Sequence, residues 1–503
     1  MIISNSKNQY QMKRLSILLL ACCATLLLLA QPARPKLVVG LAIDQMRWDY
    51  LYYYYDQYGK GGLKRLLNEG FSCENTMINY IPTVTAIGHT SIYTGSVPAL
   101  HGIAGNNFHL GNKKVYCCED KTVQTVGSNS KEGMMSPRNM WATTIGDMLK
   151  MATDAKSKVI GVALKDRASI FPAGHAADAA YWWDHSSRGY ITSTYYMKQL
   201  PAWVEKFNKA NRPAKDVDIT GIPDGVTSTF KMAEATIKNE QMGMRGQTDM
   251  LCISVSSTDI IGHKYGTRGK ENHDVYMRLD RDLAEFFNYL DRKIGRGNYL
   301  FFLSADHAGA HNPNVSRSHN IPAGGWDYKA TMTALNNHLQ QKFGVADLFN
   351  DIYSTAMYLN HDVTKKAGLD EKAVKAAAVD YLKADSQFVY VVDMDNIASA
   401  PINSIVRERA INGYCRGRSG ELLVIQRPNM LPFKVAADYI GTSHSAWNPY
   451  DSHIPLVFMG WNVKHGQTST PTYITDIAPT VCQMLHIQMP NACVGNAILK
   501  VVE

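Results

Sequence analysis

The chain has 503 residues, of which 45% are hydrophobic and 19% are charged. This composition excludes a disordered or collagen-like chain, because enough apolar surface exists to offset the ordering entropy of a large core. The formal charge of +8 is spread without long basic runs, which argues against a nucleic acid as the partner.

Residues 1–33 are predicted to be a secretory signal peptide. Lys13 and Arg14 precede an uncharged apolar stretch at 15–30, and small residues follow it. This order is typical of exported proteins. The stretch is shorter than the roughly 20 residues that cross a bilayer, so we expect no stable membrane span after cleavage. A lipoprotein-like Leu-Leu-Ala-Cys sequence ends at Cys22, but the apolar run continues beyond it. A periplasmic or secreted location is therefore expected.

Seven cysteines follow the predicted signal peptide, at positions 73, 117, 118, 252, 415, 482 and 493. None forms a Cys-x-x-Cys pair, which disfavours a zinc site made of thiolates. Exported proteins can form disulfides, but the odd number leaves at least one thiol free and the spacing does not indicate the pairing.

Near-continuous apolar runs predict strands that are buried on both faces. In chain order they are Lys36–Ile43, Lys158–Leu164, Met250–Val255, Tyr299–Leu303 and Ile454–Met459. Helical patterns lie between them, among others at Gly62–Glu69, Trp141–Met151 and Tyr276–Lys293. Strands alternating with helices predict an α/β fold, a mostly parallel sheet with helices on both faces.

The predicted core has two parts, residues 34–311 and residues 441–503. Between them, residues 312–440 carry no comparable polar pattern at strand ends, and we interpret them as an inserted cap or side subdomain. This segment shows a helical pattern near Glu371–Ala384 and strand-like pieces at Phe388–Val392 and Leu422–Ile425. Within the first core part, the turn-rich tract Phe108–Pro137 predicts a loop.

Polar residues adjoin each predicted strand. They are Asp44, then Lys165, Asp166 and Arg167, then Asp259 and His263, then Asp306 and His307, while His453 directly precedes the last run. A single Asp at a strand end is commonly a cap or turn residue. Five such positions together favour a shared site, because ligands bind beyond the carboxyl ends of parallel strands. Asp and His without Cys suit zinc or another borderline divalent ion.

The spacing of these residues indicates how they could meet. Asp259 and His263 are one helical turn apart, and Asp306 and His307 are adjacent. Two metal ions about 4 Å apart would bind the attacking oxygen and the leaving oxygen of a phosphoryl transfer. Thr85 lies where a turn enters a predicted helix, so its hydroxyl is either a nucleophile near free N–H groups or simply a helix cap. Position alone leaves both interpretations open.

Taken together, these segments resemble the alkaline phosphatase superfamily, most closely its phosphate-irrepressible bacterial periplasmic alkaline phosphatases. The resemblance covers about residues 36 to 490. The matching pieces are Leu-Ala-Ile-Asp44-Gln-Met-Arg, Pro-Thr-Val-Thr85-Ala-Ile-Gly-His89, His-Gly-Ile-Ala-Gly-Asn106-Asn, Leu-Lys165-Asp-Arg167, Ser-Ser-Thr-Asp259-Ile-Ile-Gly-His263, Ser-Ala-Asp306-His307-Ala-Gly, Tyr-Asp-Ser-His453-Ile-Pro and Thr-Asp476-Ile-Ala-Pro-Thr.

The resemblance implies a role for each matched residue. It implies one zinc held by Asp259, His263 and His453, and a second held by Asp44, Asp306 and His307 with the Thr85 oxygen directed toward it. It implies that Thr85 carries the phosphoryl group as a covalent intermediate, and that the transferred oxygens contact Asn106, Lys165 and Arg167. His89 is expected to be structural. The Cys/Ser-x-Pro-x-Arg motif of sulfatases does not occur.

The function implied is that of a secreted two-zinc phosphomonoesterase of broad specificity, acting on small phosphate monoesters. A phosphodiesterase or nucleotide pyrophosphatase would share the zinc ligands and the threonine. An exported metal-binding protein without catalysis would require Thr85 to be inert. The sequence indicates neither an oligomeric state nor a physiological substrate.

Overall fold

A ten-stranded sheet forms the centre of the computed structural model, which describes residues 34–502. The predicted signal peptide at 1–33 lies outside the described residues. In chain order the strands are β1 Leu37–Ile43, β2 Phe71–Cys73, β3 Thr125–Val126, β4 Val159–Ala163, β5 Ala179–Asp184, β6 Gly189–Ser193, β7 Asp249–Val255, β8 Tyr299–Ser304, β9 Leu456–Gly460 and β10 Gly466–Thr468.

The spatial order of the sheet is β10-β2-β9-β8-β1-β7-β4-β5-β6-β3. The five central strands, β8 to β5, are mutually parallel. Next to them β9 and β6 run antiparallel. Every residue of β1, β7 and β8 is buried, so both faces of the sheet are covered. The predicted α/β fold is confirmed, with antiparallel strands added at both edges.

One predicted strand divides in two. The run Ile454–Met459 splits around Pro455, which has no N–H to donate to a strand ladder. His453–Ile454 pairs antiparallel with Thr76–Met77 in a separate three-stranded sheet, whereas β9 pairs with β8 and β2. This division separates His453 from the sheet edge at which the prediction placed it.

The helices of the core lie close to their predicted positions. Thr144 and Asp147 form a reciprocal capping box, and the helix predicted from Trp141 therefore begins at Ile145. The core helices are Tyr50–Tyr53, Leu63–Glu69, Thr85–Thr94, Pro98–His101, Ile145–Ala152, Asp166–Ala173, Ala202–Asn211, Asp224–Glu240, Ser257–Tyr265, Lys270–Leu290, Pro449–Ser452, Ile477–Met484 and Leu499–Val502. Within 34–502, no helix combines the length and apolar character needed to cross a bilayer.

Residues 312–440 build a small sheet and apolar cluster of their own. The cluster surrounds Trp326 and Leu335. The sheet has four antiparallel strands in the order Phe349–Tyr353, Ala356–Leu359, Leu422–Gln426 and Phe388–Asp393. The segment also contains the helices Pro313–Ser318, Tyr328–Phe343, His361–Lys366, Glu371–Lys383 and Ser404–Gly413, and the short strands Gly324–Gly325 and Met430–Leu431. Because Pro35–Glu503 is one compact unit, the boundaries at 312 and 440 stay a prediction.

A short hairpin stands where the sequence predicted only a loop. Asn107–Leu110 pairs antiparallel with Lys113–Tyr116, and Asn107 lies opposite Tyr116. The tract Phe108–Pro137 is therefore not wholly irregular. The polar Gly111-Asn112 turn separates two strands of only four residues each, too short for a clear alternating pattern.

Candidate active site

Three neighbouring parallel strands bring the acidic residues to one edge of the sheet. Asp44 directly follows β1, Asp306 follows β8 after one residue, and Asp259 lies in the first turn of the helix that follows β7. Because β8, β1 and β7 are adjacent and parallel, their carboxyl ends meet. The three carboxylates are buried.

The first group of potential metal ligands is Asp259, His263 and His444. His263 Nε2 lies 3.1 Å from Asp259 Oδ1, and His444 Nε2 lies 3.8 Å from the same oxygen. The single helical turn between Asp259 and His263 places both on one side of the helix Ser257–Tyr265. The sequence predicted this pair but placed a different histidine with it.

The second group converges on His307. Its Nε2 lies 3.5 Å from Asp44 Oδ1, 3.5 Å from Asp306 Oδ2 and 3.5 Å from the Thr85 hydroxyl oxygen. Both carboxylate oxygens are buried and have no hydrogen-bond partner among residues 34–502, although His89 Nδ1, which donates to the Thr85 carbonyl, also lies 3.2 Å from Asp306 Oδ2. Buried acceptors normally have partners, because leaving one unpaired is costly. A cation bound among these atoms would satisfy them.

The three clustered histidines share one orientation. Nδ1 of His263 contacts the Thr442 carbonyl at 2.9 Å, that of His307 contacts the Ala308 carbonyl at 2.9 Å, and that of His444 contacts the Thr83 carbonyl at 2.6 Å. A carbonyl only accepts, so Nδ1 carries the proton and Nε2 presents its lone pair to the carboxylates. This arrangement is typical of histidines that ligate metals.

His453 does not join either group, which corrects the predicted ligand set. Its Nε2 contacts the Glu74 carbonyl at 2.9 Å, and its ring stacks on Trp48 at 4.6 Å. Its Nε2 therefore donates its proton to a backbone oxygen and has no lone pair to offer a metal. His444, from the loop before the helix Pro449–Ser452, lies where His453 was expected.

Charge in the site is strongly negative. Lys165 Nζ lies 2.7 Å from Asp44 Oδ2 and 2.5 Å from Asp259 Oδ2, so one ammonium contacts two of the three carboxylates. Burial and the charges of Asp259 and Asp306 raise the pKa of Asp44 well above its usual range. Burial would also raise the pKa of Asp259, but His263 and Lys165 outweigh it and hold that pKa low. Two divalent cations would complete this donor set.

Thr85 is the first residue of the helix Thr85–Thr94 and is buried beside His307. The helix lies against the backbone of Asp306 because Gly88 has no side chain: a Cβ there would lie 2.1 Å from the Asp306 carbonyl oxygen. His89 contacts the Thr85 carbonyl through Nδ1 at 2.9 Å and the Ser254 hydroxyl through Nε2 at 2.7 Å. These contacts fix the first turn and hold the Thr85 hydroxyl at the carboxylate edge.

Asn106 lies at the same helix terminus. Its Oδ1 accepts a hydrogen bond of 2.9 Å from the Ala86 backbone N–H, one of the amides that a first helical turn leaves without an internal partner. Because its oxygen accepts this bond, Asn106 still has its amide nitrogen as a donor. The sequence predicted both residues for the site, and the structure brings them together.

Lys165 is the N-cap residue of the helix Asp166–Ala173, which follows β4, and Arg167 lies in the first turn of that helix. Both line a cavity of about 830 Å³, together with Tyr116 and Trp183. Arg167 Nη1 donates to the Tyr116 hydroxyl at 2.9 Å, and Lys165 contacts the carboxylates. Lys165 therefore lies between the carboxylate cluster and an open cavity that can admit a substrate, and Arg167 lines the same cavity.

Two residues of the site, His444 and Gln45, are not among those predicted from the sequence. His444 lies in a loop, away from every predicted strand end; its only sequence signal is a histidine directly after the small residues Gly441-Thr442-Ser443. Gln45 donates from Nε2 to Asp259 Oδ1 at 2.6 Å and from its backbone N–H to Asp306 Oδ1 at 3.2 Å. It follows Asp44 directly, so adjacency to a ligand was the signal that could have found it.

Known proteins share this sequence and architecture. The profile of the type I phosphodiesterase / nucleotide pyrophosphatase family matches residues 38–444. A Myroides odoratus protein named calcium-transporting ATPase is 46% identical over 93% of this chain and 95% of its own. The alkaline phosphatase PafA of Elizabethkingia meningoseptica is 45% identical over 93% of this chain and 95% of its own.

Two crystal structures of alkaline phosphatase PafA are also similar to this fold. The wild type superposes with a TM-score of 0.90 at 43% identity, covering 94% of this chain and all of its own. A variant of PafA with a threonine, an asparagine, a lysine and an arginine replaced has a TM-score of 0.91 at 42% identity and the same coverage.

The fold and the carboxylate–histidine edge define a member of the alkaline phosphatase superfamily, and the chain belongs to its type I phosphodiesterase / nucleotide pyrophosphatase family. Within that family it belongs with the PafA-like alkaline phosphatases, since its identity to PafA extends over nearly the whole of both chains. The family predicted from the sequence is confirmed.

Proposed function

We propose that this protein is a two-zinc alkaline phosphatase that hydrolyses small phosphate monoesters through a covalent phosphothreonine. The observation that carries the proposal is the convergence on His307 Nε2 of the Thr85 hydroxyl and two buried carboxylate oxygens that have no hydrogen-bond partner among residues 34–502. A hydroxyl held among groups that bind cations is a candidate nucleophile rather than a mere helix cap.

The proposed ligands divide into two sets. Asp259, His263 and His444 would hold one zinc, and Asp44, Asp306 and His307 the other, with the Thr85 oxygen directed toward the second. When bound, the two ions would polarise the phosphoryl oxygens and favour the ionised forms of threonine and water. The absence of cysteine from these sets and the Nε2 orientation of all three histidines support zinc as the metal.

Thr85 would carry the reaction in two steps. Its oxygen attacks phosphorus, and the bond from phosphorus to the leaving alcohol breaks. Water then attacks the phosphothreonine, which releases inorganic phosphate and restores the hydroxyl of Thr85. Burial of this residue, which is 1% exposed, limits competing reactions of the intermediate.

Asn106, Lys165 and Arg167 would bind the transferred phosphoryl oxygens. The guanidinium offers a planar fork for two oxygens, whereas the ammonium acts as a point charge. The PafA variant supports this assignment, because its replaced threonine and asparagine are 21 residues apart and its lysine and arginine two apart. Thr85 and Asn106, and Lys165 and Arg167, have the same separations.

Export is part of the proposal. The charged flank and short apolar core at 1–33 support removal of a signal peptide, and with it a periplasmic or secreted enzyme. The N-terminal sequence of the mature protein, read after fractionation of the producing cells, tests this point. A protein that begins at Met1 and remains in the cytoplasm would contradict it.

Metal removal is expected to abolish activity. Chelation should reduce aryl phosphate monoester hydrolysis to background, and added zinc should restore it. The reason is that the zinc ions, which the Asp and His ligands would hold, would stabilise the transition state of phosphoryl transfer. Elemental analysis of the active enzyme should give about two zinc ions per chain, one for each ligand set. Full activity in metal-free protein, verified by the same analysis, would refute the proposed chemistry.

A preference for monoesters is expected to depend on Arg167. A monoester has three non-bridging oxygens, whereas a diester has two and a second substituent. Each charge-assisted contact contributes about 1.5–3 kcal/mol. Arg167→Ala, and likewise Lys165→Ala, should therefore lower monoester kcat/KM roughly 10- to 100-fold and diester kcat/KM much less. Steady-state rates on one aryl monoester and the matching diester provide the measurement.

Arg296→Ala is a suitable control for that comparison. Its guanidinium pairs with Glu69 on the surface, so we expect neither rate to change. Equal losses on both substrates for Arg167→Ala would mean that the cation supports the fold and not the selectivity. The phosphodiesterase alternative, which the matched family includes by name, would then be favoured.

A further inference from the structure

The hairpin Asn107–Leu110 with Lys113–Tyr116 connects two of the proposed phosphoryl-binding residues. Asn106 directly precedes its first strand, and its carbonyl accepts a hydrogen bond of 3.0 Å from the Cys117 N–H, which closes the base of the hairpin. Tyr116, the last residue of its second strand, contacts Arg167. The position of the hairpin therefore affects both Asn106 and Arg167.

The Tyr116 hydroxyl bridges the charged side chains of Asp166 and Arg167, which contact each other directly only through the Arg167 backbone N–H, a donor to Asp166 Oδ1 at 2.6 Å. It donates to Asp166 Oδ1 at 2.6 Å and accepts from Arg167 Nη1 at 2.9 Å. The direct distance from Arg167 Nη1 to Asp166 Oδ1 is 3.7 Å, too long for a hydrogen bond. Since the carboxylate only accepts and the guanidinium only donates, the Tyr116 hydroxyl proton points toward Asp166.

One edge of the Arg167 guanidinium remains available for a ligand. Its Nε is buried and has no hydrogen-bond partner among residues 34–502. Tyr116, Lys165, Asp166 and Arg167 all line the same cavity of about 830 Å³. Tyr116 therefore holds one nitrogen of a guanidinium whose residue lines the space that a substrate would enter.

We propose that Tyr116 is a positioning residue that orients Arg167 toward the oxygens of the transferred phosphoryl group. This inference rests on the proposed function and deepens it, since it assigns part of the monoester preference to a hydroxyl that touches no substrate. A guanidinium binds two oxygens only in a narrow range of orientations, so holding it in place reduces the entropy lost on binding.

The inserted segment holds the far end of the hairpin. Asp351 accepts from His109 Nε2 at 3.0 Å and from Lys114 Nζ at 2.9 Å, and these two residues lie opposite each other on the hairpin. The His109 ring also stacks on Tyr358 at 4.1 Å. The insertion thus acts on Arg167 through the hairpin and Tyr116, which gives it a role in substrate preference.

Tyr116→Phe tests the inference directly. Loss of the hydroxyl should lower monoester kcat/KM about tenfold and change diester kcat/KM less than about twofold. Tyr299→Phe is the matched control, because Tyr299 donates to Asp291 beside Arg65 at the opposite end of β8. We expect Tyr299→Phe to leave both rates unchanged, and Asp351→Asn to cause a smaller loss on the monoester alone.

A double variant separates positioning from a structural effect. Tyr116→Phe should cost nothing further in an Arg167→Ala background, because its effect passes through that side chain. Additive losses, or equal losses on both substrates, would overturn the inference. An unaltered monoester rate in Tyr116→Phe would also overturn it if Arg167→Ala hydrolyses the monoester more slowly than the wild type. If the wild-type enzyme hydrolyses no monoester, or Arg167→Ala has no effect, the proposed function fails first.

Discussion

Thr85→Ala is expected to lower monoester turnover by at least about a thousandfold, the largest loss for any single change in this protein. Without the hydroxyl no phosphothreonine can form. Some hydrolysis should persist, because the metal ions that the carboxylate–histidine edge would hold, together with the cationic residues, would still bind the phosphoryl group. Thr85→Ser, which keeps a hydroxyl, should retain much more activity.

Acid quenching during turnover provides the decisive measurement for Thr85. Labelled phosphate should be found on Thr85 in the wild type, on the new hydroxyl in Thr85→Ser, and nowhere in Thr85→Ala. Thr94→Ala, at the other end of the same helix, is the control, since its hydroxyl donates to the Thr90 carbonyl and accepts from the Ser96 N–H. Phosphate recovered on another residue would refute the assignment of the nucleophile.

His444→Ala should have the second largest effect. Removing one of three protein ligands should release one zinc, and monoester turnover should fall at least about a hundredfold, since even residues that only support a ligand contribute 10- to 100-fold. Elemental analysis should give about one zinc per chain in place of two. Thr85 and the Asp44, Asp306 and His307 side chains are retained in this variant, although His307 loses the His444 ring that stacks on it at 3.6 Å.

His453→Ala is the matched control for that experiment. Its ring packs on Trp48 and bonds the Glu74 carbonyl, so its loss should lower the melting temperature without altering zinc content. Zinc lost from His453→Ala and retained in His444→Ala would restore the ligand set expected from the sequence and contradict the proposed one.

Local patterns in the sequence were sufficient to predict the centre of the fold. The runs that form β1, β4, β7 and β8 are apolar nearly throughout because each strand is covered on both faces, and such runs are distinctive at five to seven residues. The last run, at 454–459, has the same composition, but its pairing depends on Pro455 and on distant partners. Composition cannot specify a partner, so the antiparallel edges were not predicted.

The candidate ligands also divide into those whose position follows from local spacing and those whose position depends on distant segments. Asp44, Asp259 and Asp306 lie within a few residues of their strands, so strand length and parallel order bring them together. The contact of His263 with Asp259 depends only on helical spacing. These positions follow from short-range geometry that the sequence expresses directly.

By itself, then, the sequence determined the parallel core, the acidic edge and the family resemblance, because each depends on periodicity or on spacing within one element. Only the tertiary structure decided which distant histidine joins Asp259, and that Tyr116 of a hairpin bridges Asp166 and Arg167. His444 and Tyr116 lie outside the strand ends, and their contacts require loop closure between segments far apart in the chain. No local pattern encodes such a closure, since it is the packing of the whole core that brings the segments together.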